Sequence, residues 1–108
     1  MIEKVLHALA EPRRRDILSL VRNRELTSSA IASHFDISAP AVSQHLKVLE
    51  QSGLVVVRRD GTKRYYGIRR DGFAELKQYI DRFWDESLLL LKEAAEEEER
   101  RKNDENKQ

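Results

Sequence analysis

Residues 37–49 of the 108-residue chain read ISAPAVSQHLKVL, and this segment carries the clearest structural signal in the sequence. Ser38 is a typical helix N-cap, and Pro40 fits the first helical turn, where its missing N–H costs nothing. Three apolar residues then recur at helical spacing and form one stripe: Val42, Leu46 and Leu49. The segment therefore predicts an amphipathic helix with one face on a core and the other in solvent.

A second short helix is predicted immediately before this segment. Thr27 is a plausible N-cap, followed by the apolar residues Ala30, Ile31 and Phe35. Asp36 and Ile37 then form a tight connection to the next helix. Two short helices joined in this way are typical of a helix-turn-helix, in which the second helix enters a DNA groove about 12 Å wide. The alternative interpretation is an ordinary helical corner without a ligand.

The outward residues of this motif are the candidate DNA contacts. Gln44 can form a bidentate pair with adenine, and the small Ala39 and Ala41 can approach a thymine methyl group. His45 either contacts DNA or packs on the following hairpin as a surface histidine. The candidates in the motif are Thr27, Ser38, Ala39, Pro40, Ser43, Gln44, His45 and Lys47.

Two β-branched and aromatic segments, 54–59 and 64–68, predict a hairpin whose turn contains the Asp60-Gly61 pair. A basic hairpin after a helix-turn-helix is a wing, which can lie along the phosphate backbone or enter a minor groove. The alternative is a charged edge hairpin that avoids aggregation. The candidate DNA contacts on the wing are Arg58, Arg59, Lys63 and Arg64.

The two ends of the chain also predict helices. A short one covers 3–9, one beginning at Pro12 ends near Asn23, and a long one begins at Phe73. The long helix has a broader apolar stripe than a small core can cover, which predicts a homodimer. The alternative, packing on the chain's own core, accounts for about half of the stripe. The predicted interface residues are Ile2, Val5, Leu6, Leu76, Ile80, Phe83, Trp84, Leu88 and Leu91.

Composition limits the other function classes. The chain is 40% hydrophobic and 36% charged, with no cysteine, which excludes disulfides and thiolate chemistry. Residues 1–72 have a net charge of +5 and residues 73–108 of −4, and a positive front suits a polyanion. We predict one domain over 1–95 and a charged, frayed or disordered tail over 96–108. No segment predicts a signal peptide or a membrane span, so a cytoplasmic protein is expected.

The sequence resembles the ArsR/SmtB-type winged-helix repressors over roughly residues 2–95. The resemblance rests on LAEPRRRDIL at 9–18, on the serine-x-histidine-leucine signature within 37–49, on Gly53-Leu54-Val55 and on the wing through Tyr65-Tyr66. It implies a mainly α fold with a small β-hairpin in the order α-α-α-α-β-β-α. It further implies a homodimeric bacterial repressor on a palindromic operator, with the first and last helices forming the interface.

Metal sensing, which many members of that family perform, is not expected. Residues 25–29, Glu-Leu-Thr-Ser-Ser, contain no thiolate, and the last helix contains no histidine. The stretch 79–84 resembles the family's metal-independent members. We therefore predict a sequence-specific, double-stranded-DNA-binding regulator with no enzymatic activity, metal or cofactor, and with an unknown effector. The alternative is a winged-helix module for protein–protein interaction.

Overall fold

The computed structural model describes residues 2–106 and contains five α-helices and three short strands in this range. Their order is α1 (Ile2–Leu9), α2 (Pro12–Leu20), β1 (Leu26–Thr27), α3 (Ser28–Ala32), α4 (Ala39–Gln51), β2 (Val55–Asp60), β3 (Lys63–Ile68) and α5 (Ala74–Asn106). A 3-10 turn, Arg70–Phe73, leads into α5. This confirms the predicted mainly helical architecture with a wing after the helix-turn-helix.

The hydrophobic core supports α4 from beneath. Val42, Leu46 and Leu49 are at most 1% exposed, as the helical spacing predicts. They pack in one cluster with residues of the other elements, which include Val5, Ala8, Ile17, Leu18, Val21, Ile31, Leu54, Val55 and Tyr66. Helix α2 ends at Leu20 and not near Asn23, because the C-cap residue Val21 already turns away from helical geometry, and Arg22 N then donates to Ser19 O in a tighter i→i−3 bond.

The sheet has a third strand that the sequence did not predict. Strand β1 pairs antiparallel with β3, so that the strand order is β1-β3-β2. Each wing strand also extends one residue further toward the turn than predicted. Asp60 pairs with Lys63 inside the ladder, and Gly61 and Thr62 form the two-residue loop. Gly61 has φ +62° at the first loop position, as a type II′ hairpin requires.

The connection between the two helices of the helix-turn-helix is longer than predicted. Helix α3 ends at Ala32, and the connecting segment runs over 33–38 instead of only Asp36 and Ile37. Phe35 therefore lies outside α3, although it still packs against the core. The predicted caps are confirmed, since Thr27 Oγ1 accepts from Ala30 N at 3.1 Å and Ser38 Oγ from Ala41 N at 3.3 Å.

One compact unit extends to Leu76 and a second begins at Lys77, within the 33-residue helix α5. Residues 96–106, for which the sequence predicted a frayed helix end or a disordered tail, belong to this continuous helix. The last two residues of that predicted tail lie outside the described residues. Within residues 2–106, every helix is either too short or too polar to span a lipid bilayer.

Candidate nucleic-acid interface

The N-terminal half of α4 presents a polar surface opposite its buried stripe. Ser43, Gln44 and Lys47 are exposed, as are the cap residue Ser38 and the first-turn residues Ala39 and Pro40. Since residues three and four apart share a helix face, Ser43, Gln44 and Lys47 lie close together on the solvent side. His45 is half-buried at the margin of this surface. The structure therefore places a hydroxyl, an amide and an ammonium group where a groove could receive them.

A cleft of about 870 Å³ joins this helix to the wing. Ser43 and Lys47 border it from α4, and Lys63 and Arg64 border it from β3. Residues from two distant parts of the sequence thus open into the same space, which we call the α4–wing cleft. Its lining residues are Thr27, Ser28, Ser29, Ser43, Lys47, Glu50, Thr62, Lys63, Arg64 and Tyr66.

Five of these lining residues were not among the candidates from the sequence: Ser28, Ser29, Glu50, Thr62 and Tyr66. Ser28 and Ser29 begin α3, and Thr62 is the second residue of the wing loop. The available signal was the small polar run Thr27-Ser28-Ser29, whose hydroxyls can donate to phosphate oxygens. Thr27 itself uses its oxygen to cap α3, and its hydroxyl proton remains a potential donor.

Two arginines near the wing tip face each other across the hairpin. Arg59 and Arg64 are directly opposed in the β2–β3 register, and both are exposed. Like charges directly opposite in a ladder are destabilising. Neither guanidinium forms a salt bridge with a carboxylate in residues 2–106. A polyanion placed between or along them would remove this repulsion.

Arg58, which the sequence grouped with these arginines, has different surroundings. Its Nε donates to Glu25 Oε2 at 2.9 Å, and its guanidinium carbon lies 4.5 Å from the centre of the Tyr65 ring. Successive residues of a strand point to opposite faces, so Arg58 lies on the face opposite Arg59. The wing arginines are therefore divided between a neutralised one on the outer face and two unpaired ones on the inner face.

The predicted dimer-interface residues fall into two groups. Val5 is only 3% exposed and belongs to the core of its own chain, and Leu76 is half-buried against that core. Both side chains thus pack mainly against their own chain and are less available to a dimer partner. The others on α5 remain 48–67% exposed: Ile80, Phe83, Trp84, Leu88 and Leu91. On α1, Leu6 is 47% exposed and Ile2 is half-buried.

Helix α5 also has a polar side, on which Lys77 and Asp81 lie. Lys77 Nζ donates to Asp81 Oδ2 at 2.9 Å, and this hydrogen bond together with the carboxylate charge raises the pKa of Lys77.

Among residues 2–106, no group of three or more histidine or acidic side chains is arranged to hold a metal ion.

Comparison with known proteins gives consistent matches. A family model described as "Bacterial regulatory protein, arsR family" matches residues 11–57. The HTH-type transcriptional regulator Rv2034 of Mycobacterium tuberculosis is 40% identical over 86 residues, which make up 80% of each chain. The transcriptional repressor SdpR of Bacillus subtilis is 37% identical over 67 residues, covering 62% of this chain and 74% of that protein.

A solved structure extends the similarity to the three-dimensional level. The solution structure of the homodimeric winged helix-turn-helix DNA-binding domain of Mb0332 from Mycobacterium bovis is 35% identical to this chain. It matches with a TM-score of 0.63 over 79% of each chain. It is described as a possible ArsR-family transcriptional regulator.

Proposed function

Because the chain belongs to the ArsR family of bacterial regulatory proteins, we propose that it is a dimeric repressor that binds a palindromic DNA operator. The family and the relatives are transcriptional regulators and not enzymes. The observation that carries the proposal is the α4–wing cleft, where Ser43 and Lys47 of α4 and Lys63 and Arg64 of the wing border one open space.

Helix α4 is the proposed reading element. Its apolar stripe is fully buried, so the helix is held rigidly while its N-terminal half is presented to the major groove. Gln44 can pair with adenine N6 and N7, and Lys47 and Ser43 can contact a base edge or a neighbouring phosphate. The side chains grouped on this surface would determine which operator sequence is bound.

The wing is the proposed backbone-binding element. Lys63 and the opposed Arg59 and Arg64 concentrate positive charge close to the hairpin tip. Neutralising phosphates with these side chains releases counterions, which gives affinity that depends on salt and little on sequence. We propose that the wing sets the orientation and α4 the specificity.

A homodimer completes the proposed arrangement. The exposed apolar side chains of α5 give a second copy a surface to cover, and the matched M. bovis domain is homodimeric. Two α4 helices about 34 Å apart would reach successive major grooves of one duplex face. A bacterial regulator meets such an operator in the cytoplasm, which is the location we propose.

The direct test is footprinting with the full chain. DNase protection of the region upstream of its own gene, followed by genome-wide binding of tagged protein, should show an inverted repeat whose half-sites are one helical turn apart. Transcription from the protected promoter should rise when the gene is deleted. Binding without any sequence preference, at any salt concentration, would instead favour the protein-interaction alternative. A fall in transcription on deletion would overturn the assignment as a repressor.

A further inference from the structure

Glu25 and Arg58 form a contact on the outer face of the sheet that the DNA-binding proposal does not use. The two residues are 33 positions apart in sequence, and their side chains meet at 2.9 Å. Glu25 directly precedes β1, at the entrance of the helix-turn-helix, whereas Arg58 lies in the wing strand β2. The contact therefore joins the element that leads into α3 to the element that carries the wing tip.

The contact crosses the middle strand of the sheet, β3, at a glycine. By extension of the β1–β3 register, Glu25 comes opposite Gly67 of β3. A Cβ atom at Gly67 would lie 3.3 Å from Glu25 Cγ, so the glycine leaves room for the carboxylate side chain to cross. On the same strand, the Tyr65 ring lies under the Arg58 guanidinium, with 4.5 Å between the charged carbon and the ring centre.

We infer that Arg58 is a positioning residue of the wing, held by Glu25 and Tyr65, and not one of its phosphate contacts. Arg58 does not border the α4–wing cleft, whereas Lys63, Arg64 and Tyr66 of the neighbouring strand line it. Its charge is already matched by Glu25, unlike the charges of Arg59 and Arg64. The bridge across three strands sets the angle between the wing and α3–α4. This inference rests on the proposed function for its effect on DNA affinity.

The direction in which Glu25→Gln changes the affinity for DNA distinguishes a positioning role of the bridge from a purely electrostatic one. Glu25→Gln removes a negative charge near a DNA-binding surface, so electrostatic attraction alone would tighten binding to DNA. If the bridge positions the wing, the same change weakens binding. A partly exposed ion pair supports a loss of up to about fivefold in affinity. Arg58→Gln should produce a similar loss, because it breaks the same bridge.

A double-mutant cycle completes the binding test, with Arg59→Gln as the matched control. Affinity for the footprinted duplex is measured by fluorescence anisotropy at one salt concentration. Glu25→Gln combined with Arg58→Gln should bind about as weakly as either single variant, whereas Glu25→Gln combined with Arg59→Gln should show the product of the two losses. Tighter or unchanged binding by Glu25→Gln, or independent effects of Glu25 and Arg58, would overturn the inference.

Amide hydrogen exchange, measured on the protein without DNA, is a second test whose result does not depend on the proposed function. Exchange of the wing amides over 58–65 should be faster in Glu25→Gln and Arg58→Gln than in the wild type, and not faster in Arg59→Gln, which relieves the repulsion with Arg64. Unchanged exchange in the first two variants would refute the positioning role even where DNA binding persists. Faster exchange in a protein whose wild type binds no operator would refute the proposed function and leave the bridge established.

Discussion

The apolar side chains on α5 make Ile80→Glu an informative perturbation. Ile80, Phe83, Trp84, Leu88 and Leu91 are between 48% and 67% exposed in the single chain. Full burial of a large apolar side chain contributes roughly 1.5–3 kcal/mol, so covering the exposed half contributes about 1 kcal/mol per residue. A two-fold dimer uses each position twice. Loss of Ile80 alone therefore costs the dimer about 2 kcal/mol.

The introduced carboxylates add to this cost, since each must be desolvated or leave the interface partly open. We expect a total loss of about 3–4 kcal/mol, which raises the dimer dissociation constant by roughly 10² to 10³. Sedimentation velocity over a concentration series should show monomers where the wild type is dimeric, and operator affinity should fall. The matched control is Gln78→Glu, which adds the same charge at an exposed position about 200° round the helix.

Because Ile80 is half-exposed in one chain, the fold itself should survive the substitution. Circular dichroism at high protein concentration would check that the helical content is kept. A variant that dissociates no more readily than the wild type would refute the assignment of this face. Equal dissociation by Gln78→Glu would show that charge, and not the apolar face, controls assembly.

Three further substitutions test separate parts of the molecule. Gln44→Ala should weaken operator binding by about 1–3 kcal/mol and relax the preference at one base position. The control Gln51→Ala, at the far end of α4, should leave both unchanged. If Gln44→Ala leaves operator selectivity unchanged in a titration, Gln44 is not a reading residue. Lys63→Ala should weaken binding to all sequences alike and lower the salt slope by about 0.9, and an unchanged slope would contradict wing contact. Gly72→Ala should destabilise the fold severely, because a Cβ there would collide with the backbone oxygen of Gly53, and a melting temperature close to the wild type's would contradict this packing.

The helical part of the fold was predictable because its signals are local. The caps at Thr27 and Ser38 and the stripe of α4 depend on residues within a few turns, and the structure confirms them. Strand β1 was missed because two residues carry no periodic pattern, and it exists only through its pairing with β3. The end of α3 was also misjudged, since Phe35 contacts the core without being helical.

The electrostatics of the wing could not be read from composition. The predicted segments 54–59 and 64–68 are compatible with a pairing of Arg59 and Arg64, and the observed loop at Gly61 and Thr62 fixes that register. The partner of Arg58 is 33 residues earlier in the chain, which no local pattern reveals. Basic residues that look equivalent in sequence thus have different surroundings, and only the strand register separates them.

The absence of cysteine from the chain allows the central claim to be tested with a single reactive thiol. Ser29→Cys places the thiol on the lining of the α4–wing cleft, where it can carry an iron chelate that cleaves nearby DNA. If paired chains present α4 and the wing to one face of a duplex, the operator is cut at two centres about 34 Å apart, one helical turn. A single centre of cleavage, or cleavage spread evenly along the duplex, would contradict the account.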